Sequence, residues 1–297
     1  MNRLILLLLA IVLTTLPLLS GQDAMPGSLV ISGGNLTTAL DRIQGRFIEL
    51  GGGAANIRLA IIPAGSIEPA VSGRENAADF IRLGVPAGRV RVFPLAVVDD
   101  PSTPDVDESR WADNGADVGL AREMRECTAV YFVGGDQIRY TRTLKTADGG
   151  DTPLLGAIRE VYARGGVIGG SSAGAAMMCD PMICDGYSMK ALLAGAVYQP
   201  AACAEARGVS LAAGLGFFTA GMVDQHFLKR GRIGRLLVAL SAGAAGLGIG
   251  IDEDTSAVCR GDTVEVIGSS GVLVVDAVEA KARGGLSWSP AGGLRAR

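Results

Sequence analysis

Residues 170–174 read Gly-Ser-Ser-Ala-Gly, directly after the apolar run Val167-Ile168 and directly before Ala175, Ala176, Met177 and Met178. This G-x-S-x-G frame puts Ser172 at the apex of a tight strand-to-helix turn, the geometry that exposes a serine hydroxyl as a nucleophile above a parallel sheet. A glycine-rich turn with no chemistry has the same composition, so the frame alone leaves both readings open. A serine nucleophile needs a base to take its proton and a third group to orient that base. The chain has one histidine, His226, in "GMVDQHFLKRGRIGRLL", where an apolar strand-like run gives way to a basic helix. Histidines are commonly part-buried without special function. At a strand end, however, His226 lies where open α/β sheets bind their ligands. Glu253 follows another strand end in "GIGIDEDT", with Asp252 and Asp254 as rival acids. The order serine, histidine, acid differs from the serine, acid, histidine order of α/β-hydrolases and argues against a standard lipase or esterase.

Such residues meet only if several strands end on one side of a sheet. "SLVISGG" (28–34) reads as a buried strand, 37–50 as a helix and "IRLAIIPAGS" (57–66) as a second strand. The pattern repeats: a helix near 74–84 leads to "RVRVFPL", one near 117–126 to "AVYFVGGD", and a third to "GGVIGGS". That third helix begins with Thr152 as N-cap and Pro153 at its first position and stops at Gly165. Near-continuous apolar strands alternating with helices predict a three-layer α/β/α fold whose central sheet is mostly parallel and covered on both faces. From 247 onward "LGIGID", "SAVCRG", "TVEVIG" and "VLVVDA" predict antiparallel strands and hairpins that extend the sheet.

The chain has 297 residues, 48% of them hydrophobic, enough for one large α/β domain with a substantial core. A formal net charge of -3 gives no basic field, so nucleic acid and anionic membrane surfaces are not expected partners. The start, "MNRLILLLLAIVLTTLPLLSGQDA", combines a positive charge at Arg3, an apolar run from Leu4 and small polar residues, the pattern of a secretory signal over residues 1–24. Thr14, Thr15 and Pro17 weaken the alternative of a membrane anchor. Residues 25–297 then form a single exported domain, periplasmic or extracellular, with no stable membrane partner. The five cysteines are Cys127, Cys179, Cys184, Cys203 and Cys259, so at least one is unpaired within the chain. The cluster Cys179, Cys184 and Cys203 is expected to hold one disulfide in an oxidising compartment, while Cys127 and Cys259 flank apolar runs as small buried hydrophobes. No metal-type C-x-x-C pair occurs, and neither metal nor cofactor is expected.

The segments "GGDQIRY" (134–140), "GGSSAGAAMM" (169–178), "DQHFLKRGRIGRL" (224–236) and "GIDEDT" (250–255) resemble, in order, those of cyanophycinase and its relatives in the peptidase E family of serine peptidases. The resemblance runs from about Ser28 to Asp276. It implies a Ser172 nucleophile, a His226 base and a Glu253 orienting carboxylate, with oxyanion donors at the backbone N–H groups near Gly135 and Ala173. It implies substrate contacts from Gln137, Asp224, Gln225, Arg230, Arg232 and Arg235. It further implies an exopeptidase for β-aspartyl or aspartyl bonds acting on cyanophycin, an arginine-decorated polyaspartate, and a homodimer. Two features depart from the family: Ser171 stands where threonine is usual, and the cysteine-containing segment 179–210 is longer. The longer segment leaves open a dipeptidase for other acidic peptides; a third reading is an inactive binding protein of the same fold. A helix starting near Phe227 would set Arg232 and Arg235 on one flank of an apolar stripe. There they either pair with local acids or offer a planar fork to a substrate carboxylate.

Overall fold

The protein is described here by a computed structural model covering residues 27–203 and 207–279, together with the backbone of two strands at 286–289 and 293–296. The expected leader, 1–24, lies outside the described residues. In chain order the elements are β1 (Ser28–Ser32), α1 (Leu40–Leu50), β2 (Leu59–Ile62), α2 (Pro69–Arg82), β3 (Val90–Val92), α3 (Val118–Met124), β4 (Ala129–Phe132) and α4 (Gln137–Leu144). They continue with α5 (Pro153–Ala163), β5 (Val167–Ser171), α6 (Ala173–Ala176), β6 (Met182–Asp185), α7 (Ser188–Ala194), β7 (Ala196–Tyr198) and β8 (Val209–Ala212). The last are β9 (Met222–Gln225), α8 (Ile233–Ser241), β10 (Leu247–Ile251), β11 (Thr255–Arg260), β12 (Thr263–Gly268), β13 (Val272–Asp276), β14 (Leu286–Ser289) and β15 (Gly293–Ala296).

The central sheet has seven strands in the order β12-β11-β1-β5-β4-β2-β3, parallel from β1 to β3 and antiparallel at β11 and β12. Alternation along each strand builds the two outer layers. Leu29, Ile31, Ala60, Ile62, Val130 and Phe132 join one core with the buried faces of α3 and α5. Their in-between neighbours Val30, Leu59, Ile61 and Tyr131 join a second core with Phe47 of α1 and Phe80 of α2. Because both faces are covered, no strand of the middle of the sheet tolerates a polar residue without cost, which explains the continuous apolar runs.

Several boundaries differ from expectation for physical reasons. α1 starts at Leu40, because the N–H groups of Thr37 and Ala39 are taken by the Asp254 carboxylate at 2.7 and 3.0 Å. α2 begins earlier than expected, with Pro69 in its first turn. α5 has the predicted cap, Thr152 Oγ1 accepting from the Leu155 N–H at 3.3 Å. In the C-terminal part, β11 and β12 extend the central sheet as hairpin strands, whereas β10 and β13 do not. They form a separate sheet, β13-β10-β9, in which β10 runs parallel to β9. α8 lies between those two strands in the chain, and a helical crossover of that kind returns the next strand parallel. A third small sheet, β6-β8-β7, comes from the long segment after the serine elbow.

Candidate active site

The elbow at Ser172 is shaped by close packing on both of its sides. A Cβ on Gly170 would lie 2.4 Å from the Gly174 carbonyl oxygen, and one on Gly174 would lie 2.4 Å from that of Phe132, so α6 can begin only here if both are glycine. Ser172 takes φ 55° and ψ −111°, a conformation that costs a non-glycine residue about 1–3 kcal/mol. His226, Asp254 and Asn35 also have positive φ, at 48°, 53° and 45°, and these four are the only non-glycine residues with positive φ among the described residues. All four belong to one site.

Its side chains form a relay. Ser172 Oγ lies 2.8 Å from His226 Nε2, and His226 Nδ1 lies 2.7 Å from Glu253 Oε1. Asn35 Nδ2 donates to the other oxygen of Glu253, Oε2, at 2.9 Å. The two rival acids are engaged elsewhere. Asp252 accepts from the Lys229 N–H at 2.9 Å and from Ser270 Oγ at 2.8 Å, while Asp254 holds the start of α1. Of three consecutive acids, Glu253 is the one that reaches the imidazole.

Backbone bonds to the end of β1 and the two glycines after it place Ser172, His226 and Asp254, the residue that follows Glu253. The Ser172 N–H donates to Ser32 O at 3.0 Å, the His226 N–H to Gly33 O at 2.7 Å, and the Asp254 N–H to Gly34 O at 3.0 Å. Three consecutive carbonyls thus fix three segments far apart in sequence. Gly34, at φ 103°, has no room for a side chain: a Cβ would stand 2.4 Å from His226 Cε1.

Burial is the main influence on His226, disfavouring the imidazolium and holding its pKa below the ordinary value of 6.5; the nearby Arg230 and Arg232 push the same way, and Glu253 opposes them. The imidazole is therefore neutral at neutral pH and available to accept a proton. The Glu253 carboxyl is held below its ordinary range, first by the Asn35 amide and then by His226. Burial alone would raise Asp254, but hydrogen bonds from Thr38 Oγ1, the Thr37 N–H, Ser269 Oγ and the Ala39 N–H outweigh it and hold the carboxyl far below its usual range.

The loop Gly134-Gly135-Asp136 runs beside the elbow, since a Cβ on Gly134 would be 3.6 Å from Ser172 Cβ. Ala173 opens α6, so its N–H has no acceptor within the helix. Gln137 does not point freely into solvent: its Nε2 donates to Ile183 O at 3.1 Å and Cys184 O at 2.8 Å. Asp224 and Arg235 are buried together, with Arg235 Nε 2.8 Å from Asp224 Oδ2 and its second arm on Oδ1. Arg232 donates to Gln225 O at 2.8 Å and sits 3.8 Å from Asp224 Oδ1. Two guanidiniums thus share one carboxylate. Burial, with Arg235 next to it, pushes Arg232 down to about 10, still cationic at neutral pH. Gln225 is buried with Oε1 unpartnered, and Arg230 is exposed. The expected helix from Phe227 starts instead at Ile233, because the chain first closes a turn at Gly231, φ 59°, with the Arg232 N–H on Phe227 O. Of the two flanking arginines, Arg235 is the one whose fork is already filled.

The family model of peptidase family S51 matches residues 113–267, and the chain is 36% identical over 262 residues to the cyanophycinase of Geminocystis herdmanii, covering 86% of this chain and 82% of that one. This chain belongs to peptidase family S51. A second cyanophycinase, from Trichormus variabilis, is 34% identical over 87% of this chain and 76% of its own length. Among solved structures, a peptidase from an acI-B1 actinobacterium superposes with a TM-score of 0.56 at 22% identity, over 93% of this chain and 99% of that one. A putative peptidase E protein from Listeria monocytogenes gives 0.52 at 14% identity, over 82% of this chain and all of that one, so both structures speak for the shared fold.

In this S51 peptidase the segment after the elbow carries its own staple. The disulfide joins Cys184 and Cys203, while Cys179 is buried with Sγ accepting from the Val223 N–H at 3.2 Å. Cys127 and Cys259 are buried free thiols whose pKa values burial pushes up to about 11, leaving them unreactive. Inside the stapled loop Gly186 O accepts from Arg235 and Ser188 Oγ bonds both Gly231 O and the Arg235 N–H. The residues that sequence reading missed are Gly33, Gly34 and Asn35. Their signal was present as "SGGN" directly after a strand, a run suited to left-handed backbone.

Proposed function

We propose that Ser172, His226 and Glu253 are the Ser-His-Glu triad of an exported exopeptidase that cleaves β-aspartyl or aspartyl bonds, with cyanophycin as substrate. The relay of 2.8 and 2.7 Å from Ser172 through His226 to Glu253 carries this reading. Ser172 Oγ attacks the scissile carbonyl as His226 Nε2 takes its proton, and Glu253 stabilises the imidazolium through Nδ1. The N–H groups of Gly135 and Ala173 receive the developing oxyanion. Collapse of the tetrahedral adduct passes the proton from His226 to the leaving amine, and water then releases the acyl group by the same steps in reverse order. The surplus positive charge of Arg232 and Arg235 over Asp224, with Arg230 at the rim, suits a substrate rich in carboxylates.

The substrate is supported by the relatives named cyanophycinase at 34–36% identity. Export is supported by the leader pattern and by the Cys184–Cys203 bridge, which persists in oxidising compartments. Incubation with purified cyanophycin, read by mass spectrometry, should release aspartyl-arginine dipeptides. Ser172→Ala should be silent and Ser171→Ala active, because only Ser172 sits at the apex. Cleavage of other acidic dipeptides with the polymer left intact would overturn the substrate; retained hydrolysis in Ser172→Ala would overturn the triad.

A further inference from the structure

We infer that Asn35 is a positioning residue of the hydrolytic site, its side-chain amide fixing the Glu253 carboxylate so that one oxygen faces the imidazole. The inference rests on the triad proposed above. A glutamate has three side-chain torsions and, left alone at a part-exposed site, loses entropy when held in one orientation. Glu253 is held at both oxygens, Oε1 by His226 Nδ1 and Oε2 by Asn35 Nδ2. An asparagine Nδ2 only donates, so its partner oxygen must accept, and the bond favours the ionised carboxylate.

The backbone delivers Asn35 to this place. The residues before it, Gly33 and Gly34, accept from the N–H groups of His226 and Asp254, so the loop is bonded to the backbone on either side of the His226–Glu253 contact. Asn35 itself sits at φ 45°, a left-handed conformation that asparagine tolerates better than most residues. Residue type and backbone agree, since asparagine pairs a tolerance for left-handed backbone with a side-chain donor. The neighbouring carboxylates of Asp252 and Asp254 are filled by other donors and offer Glu253 no competing arrangement.

The test is kcat and KM as a function of pH for Asn35→Gly and Asn35→Asp, beside Ser172→Ala. Glycine keeps the left-handed backbone and removes the amide; kcat should fall about fivefold with KM within about twofold of the parent, the loss of one hydrogen bond to a charged group at a solvent-facing position. Aspartate keeps the size and turns the donor into a second negative charge, which favours the imidazolium. The acid limb of kcat/KM should therefore move to higher pH, by about one unit. Unaltered kcat and acid limb in both variants while Ser172→Ala is dead would overturn the inference and leave the triad standing, as would a change in melting temperature alone. Retained activity in Ser172→Ala would remove the triad and this inference together.

Discussion

Replacing Asp224 by asparagine should destabilise the protein far more than it alters chemistry at Ser172. Asp224 is 1% exposed and faces the fork of Arg235, itself 4% exposed, with Arg232 3.8 Å away. Asparagine keeps an acceptor for the Gln225 N–H, now at 2.8 Å from Oδ1, but removes the one carboxylate among the described residues that either guanidinium contacts. Leaving a buried charge uncompensated costs about 3–5 kcal/mol. Since one acceptor survives, about 3 kcal/mol is expected, a large part of the ~5–15 kcal/mol that stabilises a typical domain. At about 2–4 °C per kcal/mol the melting temperature should fall by roughly 6–12 °C. Differential scanning calorimetry reads it directly. Arg235→Met should fall similarly, and the double variant should lose less than the sum, because it removes both charges at once. A melting temperature unchanged in Asp224→Asn, or strict additivity in the double variant, would refute the view that this pair is scaffold.

Arg232→Lys should behave in the opposite way, raising KM about tenfold for aspartyl substrates with little change in melting temperature, since the planar fork is lost while the charge remains; unaltered KM would count against it as a substrate contact. The acid limb of kcat/KM should titrate below 6.5, because burial lowers His226 and the neutral base persists to lower pH than a free imidazole; a limb above that value would contradict the described environment. Glu253→Gln should lose most of kcat with KM nearly constant and move that limb lower still, since the carboxylate is what favours the imidazolium. Stability should decline on acidification in two windows. It falls first below about 6.5, where the unfolded histidine binds a proton that the folded one resists. It falls again below about 4, where unfolded carboxyls protonate while Asp254 and Glu253, depressed in the fold, do not. Removing the bridge with Cys184→Ser and Cys203→Ser should cost about 3 kcal/mol, from a separation of 19 residues, and raise KM, because the stapled loop holds Gln137. An unaltered KM would detach the loop from substrate binding.

The fold was legible where one periodicity dominated. The strands at 28–32, 59–62, 129–132 and 167–171 are buried on both faces, so their apolar runs are unbroken, and the Thr152-Pro153 start of α5 needs no tertiary information. Pairing was less legible. β10 looks like its neighbours β11 and β13, and nothing in "LGIGI" says that it lies parallel to β9. That relation is set by α8, whose own start is displaced by the turn at Gly231. In the site, serine and histidine could be placed from strand ends, but the choice among Asp252, Glu253 and Asp254 could not be read from spacing, since all three follow the same strand. It is decided by side-chain length and direction: the two aspartates are taken by N–H groups and hydroxyls of other segments, at Thr37, Thr38, Lys229 and Ser270, and the longer glutamate reaches across to the ring.

The four left-handed residues explain why the hub lies in the β1–α1 loop instead of in the elbow alone. Each such conformation costs about 1–3 kcal/mol and persists only when surrounding bonds over-determine it. At Ser172 and Asp254 the N–H donates to the hub carbonyls Ser32 O and Gly34 O, and at His226 to Gly33 O. The fourth, Asn35, is the residue that continues the same loop. A nucleophile, a base and an acid drawn from residues 172, 226 and 253 have no sequence proximity to hold them in register, and side-chain hydrogen bonds such as that of Asn35 orient the groups only once the backbones that carry them are in place. Consecutive carbonyls of one short segment put those backbones in place, because their spacing is covalent. On this account the glycines at 33 and 34 are constrained by chemistry as much as by space: a side chain at 34 collides with the His226 ring, and a side chain at 33 would lie 2.0 Å from Asp252 O. Displacing that segment would move Ser172, His226 and the backbone next to Glu253 together, whereas truncating any one side chain leaves the other two in place.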